Sequence, residues 1–170
     1  MPLLRKTSSR YAGIAEMKLY DLKEAYLRAS SYCAYQERTQ DEVRDRLKEW
    51  NIRGEDAESV IARLIEENFL NEERFSKAFA GGKFRMKQWG RLKIRQELRG
   101  RGVSDYCIKQ ALKEIDESEY RQTLRRVLEK KNDTIKDEDT IIRKQKLIRF
   151  ALGKGYENDL VWNAVEEIVS

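Results

Sequence analysis

The 170-residue chain has no histidine, one proline and two cysteines. Each shortage excludes something. Without histidine there is no imidazole to serve as general base or to activate a serine or cysteine nucleophile near neutral pH. Cys33 and Cys107 are far apart and form no CxxC pair. A zinc site needs several soft ligands placed close together, so none is expected, and both cysteines read as buried free thiols with no demand for an oxidising compartment. The single proline is Pro2, so nothing downstream removes a backbone donor and blocks helix continuation. The 9 glycines fall mostly between periodic segments. No apolar run approaches the roughly 20 residues of a membrane span, and the N-terminus has no signal-peptide core. The expectation is a cytoplasmic protein with no membrane segment, metal or cofactor. There is also no glycine-rich phosphate loop and no strand–turn–helix pattern to carry a nucleophile. Glu66–Glu67 and Glu72–Glu73 are adjacent carboxylates that do not converge on one point of a helix. They read as solvated or dipole-compensating charges. An enzyme is not expected.

Charge is what the chain has in plenty. Charged residues make up 38% and apolar residues 40%, against roughly 25% charged in an average soluble domain. So much charge disfavours one deep core and suits thin helical modules with one buried stripe each. The net charge of +5 and pI near 9.1 point to an acidic partner, either nucleic acid or an acidic protein surface. Because 35 basic residues are mixed with 30 acidic ones, local clustering carries more information than the total.

Helical periodicity recurs along the chain. Val43, Leu47 and Trp50 share one face, as do Ile61, Leu64 and Ile65. Ile94 pairs with Leu98, and Ile108, Ala111, Leu112 and Ile115 make a longer stripe. Leu124 with Leu128, Leu147 with Ala151, and Val161, Ala164, Val165 and Ile168 follow. All are expected core. Start signals agree: Thr39 and Glu42 frame a capping box, and Asn71 and Ser104 precede acidic first turns.

Internal comparison then shows a repeat. The segments Thr39–Ile52, Gly90–Val103 and Lys144–Tyr156 superpose so that Val43, Ile94 and Leu147 coincide, as do Leu47, Leu98 and Ala151. Each ends in a turn at Asn51, Gly102 or Gly155, residues that tolerate the left-handed conformation closing a helix. A second stripe follows each turn: Ile61 and Ile65, Ile108 and Leu112, Val161 and Val165. A helix precedes each, over Leu22–Tyr35, Glu73–Phe84 and Ser118–Lys131. The expected fold is all-α, with three tandem three-helix repeats in an elongated, curved array. Its parts are a basic N-terminal tail (1–22) and repeats over 23–70, 71–116 and 117–170. Two glycines in Ala80–Lys83 suggest a loose joint there.

The segment Phe69–Phe79 followed by Trp89–Val103 resembles the centre of the RecX family, through Leu70, Glu73, Arg74, Phe75, Gly90, Ile94, Leu98 and Gly102. Ala34–Leu47 looks like that family's first repeat and Arg143–Val165 like its last, so the resemblance spans about residues 24 to 169. It implies three three-helix repeats and a regulator, mostly an inhibitor, of RecA. Such a regulator lodges in the groove of the RecA–DNA filament and modulates recombination, DNA repair and the SOS response. Ala151 in place of leucine, and the charged stretch Lys130–Lys144, depart from the pattern.

From Lys83 to Arg101 the chain carries Lys83, Arg85, Lys87, Arg91, Lys93, Arg95, Arg99 and Arg101, opposed only by Glu97. A helix beginning at Gly90 with Ile94 and Leu98 inward sets Arg91, Arg95 and Arg99 along one edge. Such a ridge suits phosphates or acidic patches inside a recombinase groove. Phe84 and Trp89 interleave with it. Packing into the seam between repeats is the favoured reading of both rings, ahead of stacking on bases. Arg143, Lys144, Lys146 and Arg149 form a secondary basic cluster, while Arg121, Arg125 and Arg126 read as an ordinary exposed face. The expected partners are a RecA-type recombinase filament and single- or double-stranded DNA without sequence preference, met by a monomer. The rival reading is a free-standing DNA-binding module. Its post-turn helix offers only Lys109, Gln110 and Lys113 to read base edges, which is thin for specific recognition.

Overall fold

The computed structural model describes residues 20–136 and 138–170. The basic tail expected over 1–22 lies, as far as residue 19, outside the described residues. Helices α1 (Leu22–Tyr35), α2 (Gln40–Glu49) and α3 (Gly54–Glu66) form a first unit. Helices α4 (Glu72–Lys87), α5 (Arg91–Gly100) and α6 (Asp105–Lys113) form a second. Helices α7 (Glu117–Asn132), α8 (Thr140–Gly153) and α9 (Asn158–Ile168) form a third. The described residues contain no strand.

The helix ends follow local chemistry. The Thr39 hydroxyl accepts from the Glu42 amide at 3.1 Å while Glu42 accepts from the Thr39 amide at 2.8 Å, closing the capping box. The Asn71 and Ser104 side chains cap α4 and α6 by accepting from the amides of Arg74 and Cys107. After the second helix of each unit, Asn51, Gly102 and Gly155 take left-handed φ values of 61°, 76° and 92°. The next amide then reaches back five residues: Ile52 to Leu47 at 2.9 Å, Val103 to Leu98 at 3.1 Å and Tyr156 to Ala151 at 3.3 Å. This bond satisfies a carbonyl that the helix end would leave bare.

Val43, Leu47, Ile94, Leu98, Leu147 and Ala151, the equivalent positions of the repeat, are all fully buried. Two expectations change. Ile65 is 44% exposed, and Leu64, at 0%, takes the core position instead. The α3 stripe runs Ala57, Val60, Ile61, Leu64, which turns Ile65 outward. The joint expected at Ala80–Lys83 is absent, because α4 continues unbroken to Lys87. Ala80 and Phe84 are both buried on its inner side, and that packing outweighs the roughly 1 kcal/mol that each interior glycine costs a helix.

The units join differently. One apolar cluster occupies the first unit, from Ala25 to Leu70, and a second runs without break from Phe75 to Val169 through the other two. Phe84 of α4 packs on Tyr120 of α7, and Tyr120 on Tyr156. The first unit meets the second through charge: Arg74 Nε donates to Glu37 at 2.5 Å, and Arg101 lies 3.9 Å from Glu42.

Candidate nucleic-acid interface

The α4–α5 turn sets the geometry of the basic surface. Gln88 ends α4 at φ 56°, and the chain then crosses to Gly90, whose amide donates to the Lys154 carbonyl of the third unit at 2.7 Å. The Leu92 amide donates to the Gly155 carbonyl at 3.0 Å, and the Tyr156 hydroxyl donates to the Gln88 carbonyl at 2.9 Å. The N-terminus of α5 is therefore pinned to the α8–α9 turn. Lys93 and Lys154 become neighbours although far apart in sequence. Burial, and then the Lys93 charge, hold the Lys154 ammonium below the ordinary lysine range.

The expected basic residues divide into two groups. Arg91 does not stand out from a ridge. Its guanidinium pairs with Glu117 and Glu157 and lies 3.9 Å from the centre of the Tyr120 ring, and its backbone amide donates to the Tyr120 hydroxyl at 3.0 Å. The Tyr120 hydroxyl in turn donates to Glu157 at 2.6 Å. Burial opposes the arginine charge, but the Glu117 bond and the two carboxylate fields outweigh it, so Arg91 is held above its ordinary range and Glu117 below its own. Arg91 rivets α5 to the third unit. Arg99 pairs with Asp105 on the surface. Lys144 pairs with Glu166, and Arg143 donates to Asn132, which splits the secondary cluster.

The other group shares a face with aromatic rings. Lys83 Nζ lies 5.4 Å from the Phe79 ring centre and 5.1 Å from that of Trp89. Lys93 lies 4.6 Å from Trp89, and Arg101 lies 5.0 Å from Phe79. Across the seam, Lys154 and Lys131 flank Phe150 at 5.8 and 5.1 Å. Beyond Phe150, Lys131, Lys136, Lys146 and Arg149 line an open depression of about 530 Å³. The rings attract each ammonium through their π faces and hold it at the surface. Arg85, Lys87 and Arg95 are exposed on the outer sides of α4 and α5. Phe84 is buried in the seam, and Trp89 is half-buried against the core, as packing demands.

Sequence reasoning missed Lys154, Lys130, Lys131, Lys136 and Phe150. The signal was weak, since Lys130 and Lys131 lie in a mixed-charge stretch and Lys154 stands alone between glycines. Only the seam brings Lys154 to Lys93.

Comparison with known proteins identifies these units. Models of the first, second and third three-helix domains of RecX match residues 25–64, 71–112 and 118–165 in that order. The chain belongs to the RecX family. It is 26% identical over 148 residues to Regulatory protein RecX of Bacillus mycoides (strain KBAB4) and 27% to that of Bacillus cytotoxicus. These alignments cover 87% of this chain but 55% of each relative, so the chain spans about half the length of the curated relatives it matches. Among solved structures, RecX from Lactobacillus salivarius superposes with a TM-score of 0.79 at 21% identity, over 86% of this chain and 96% of the other. A second structure, described as regulatory protein RecX, gives 0.75 at 20% identity over 86% of this chain and 73% of its own. These likenesses show the fold, and the RecX family is one of regulatory proteins. Among the described residues no group of side chains could hold a metal ion, and no helix is long and apolar enough to cross a membrane.

Proposed function

We propose that this protein regulates a RecA-type recombinase, acting in the cytoplasm as a monomer that lies along the recombinase–DNA filament and restrains it without catalysis of its own. The observation that carries the reading is the match of all three RecX domain models, in order, along one chain. The physical support is the second unit's basic face. Lys83, Lys93 and Arg101 converge there, held on Phe79 and Trp89. A filament groove offers acidic side chains and DNA phosphates, and fixed cations with little local neutralisation are what such a groove attracts. Sequence-specific readout finds no support, since α6 exposes only a short row of polar side chains.

The test is ATP hydrolysis by recombinase filaments assembled on single-stranded DNA, with increasing amounts of this protein. Hydrolysis is expected to fall at protein concentrations well below those of the DNA-binding sites. Unchanged hydrolysis and no co-sedimentation with the filament would overturn the reading.

A further inference from the structure

We infer that the face running from Arg101 across the seam to Arg149 is a track for a single nucleic-acid strand, which this protein binds directly through the sugar–phosphate backbone. The inference deepens the regulatory reading, and rests on it, by naming the chemistry that the basic face meets and by extending that face into the third unit.

The first argument is neutralisation. Many cations away from this face are matched with carboxylates: Arg28 with Glu24, Arg44 with Asp41 and Glu58, Arg46 with Glu49, Arg63 with Glu67. The same holds for Lys77, Arg121 and Arg125. Along the track the pattern changes. Among the described residues Lys83, Lys93, Lys131 and Lys154 have aromatic rings and backbone for company and no carboxylate in ion-pair range. At the Arg101 end Glu42 lies 3.9 Å away, and Glu97 is the one carboxylate that α5 carries beside these cations. It sits one turn from both Lys93 and Arg101 on α5, yet is ion-paired to neither. A row of cations kept clear of acids repels itself unless an anion supplies the missing charge.

The second argument is shape. Phe150 stands between two adjoining depressions, one of about 530 Å³ lined by Lys131, Lys136 and Arg149, the other of about 290 Å³ lined by Lys130, Lys131, Lys154 and Gln88. A half-buried ring with cations on both sides is what a single strand uses. Its bases stack on the ring while successive phosphates meet the flanking lysines. A duplex hides its base faces and cannot use Phe150 in that way. An acidic protein surface would meet the lysines but has no flat base to lay on the ring. The third argument is rigidity. The seam bonds from Gly90 and Leu92 fix Lys93 beside Lys154, so the two halves of the track keep a constant spacing.

The test uses the full chain and a fluorescent oligothymidylate, with no recombinase present, over a salt series. Wild type should bind the strand more tightly than a length-matched duplex. The triple variant Lys93→Gln, Lys131→Gln, Lys154→Gln should bind at least about tenfold more weakly and flatten the dependence on salt, by about 0.7 in log–log slope for each lost phosphate contact. Phe150→Leu should weaken binding severalfold at unchanged salt slope, because it removes stacking and no charge. Glu97→Gln should tighten binding. A control triple away from the face, Lys23→Gln, Lys109→Gln, Lys113→Gln, should bind like wild type, and circular dichroism should show every variant folded. If wild type ignores bare strands while filament hydrolysis is inhibited, and the track triple abolishes that inhibition, the occupant is an acidic protein surface. The strand inference then falls while the regulatory reading survives. Equal affinity for duplex, or an unaffected Phe150→Leu, overturns the single-strand assignment. Strand binding by wild type with no effect on filaments keeps the track and removes the regulatory reading.

Discussion

Gly90 and Gly155 meet backbone to backbone across the seam between the second and third units. A β-carbon at Gly90 would lie 2.2 Å from the Gly155 carbonyl carbon, and one at Gly155 would lie 2.3 Å from Lys93 Cβ. No side chain fits in either place. Gly90→Ala should therefore destabilise the protein by about 1–3 kcal/mol, the range for overpacking a well-packed site. Gly82 offers the opposite case, since nothing lies within 4 Å of its missing β-carbon and it sits inside α4. Gly82→Ala should stabilise by about 0.5–1 kcal/mol. Urea unfolding of the two variants checks both signs, and an undamaged Gly90→Ala protein would refute the close approach.

Arg91 and Arg99 share a helix and differ in worth. The Arg91 side chain is 20% exposed and serves two carboxylates, whereas Arg99 is 60% exposed and pairs with a 78% exposed Asp105. Arg91→Gln should cost about 2 kcal/mol, because Glu157 and Tyr120 lose their partner in a half-buried setting. Arg99→Gln should cost less than about 0.5 kcal/mol. Thermal unfolding at matched salt separates them, and equal costs would sink the rivet role of Arg91.

Alkaline pH should loosen the same seam. Burial and the Glu157 bond push the Tyr120 hydroxyl far above its ordinary range, burial does the same to Tyr156, and the Glu67 bond raises Tyr26. A group whose folded pKa is raised stabilises fully below its unfolded pKa, about 10 for tyrosine, and loses that contribution as pH climbs toward the folded value. The melting temperature should drift down above about pH 8.5, where the buried thiols, also raised, pass their unfolded range, and fall more steeply above about 10 as the tyrosines do. Tyr156→Phe should start lower and fall less steeply. A parallel fall would assign the alkaline loss elsewhere.

Both thiols should be inert in the folded protein. Burial pushes Cys33 up to about 11 and raises Cys107, and both side chains are buried. Near pH 8 the thiolate of Cys33 is scarcer than that of a free cysteine by roughly two orders of magnitude. Iodoacetamide should label neither within the time that labels both in urea. Fast native labelling would contradict the burial.

Much of the fold was legible because it depends on neighbours in sequence. Thr39 and Glu42, three residues apart, write their own helix start, and Asn51, Gly102 and Gly155 write their own helix ends. Residues that sequence left ambiguous were decided through space. Ile65 and Leu64 are equally apolar, and only the turn of α3 against α1 chooses between them. The glycines of α4 look like a break until Ala80 and Phe84 are seen buried beside them. The basic site shows the same limit. A run of charges located Lys83, Lys93 and Arg101, but nothing near Arg91 in sequence announces Glu117 or Glu157, and nothing near Lys154 announces Lys93.

The apolar cluster shared by the second and third units alters what counts as a module. Tyr120, fully buried, touches Phe84 on one side and Tyr156 on the other. Cutting the chain between α6 and α7 would strip both rings of cover, whereas cutting between α3 and α4 would chiefly expose the Arg74 and Arg101 ion pairs. Denaturant should therefore find two cooperative blocks, one of three helices and one of six. A shuffled or truncated descendant of this chain is viable only if its last two repeats are inherited together. The repeat is the unit of duplication, but it is not the unit of folding.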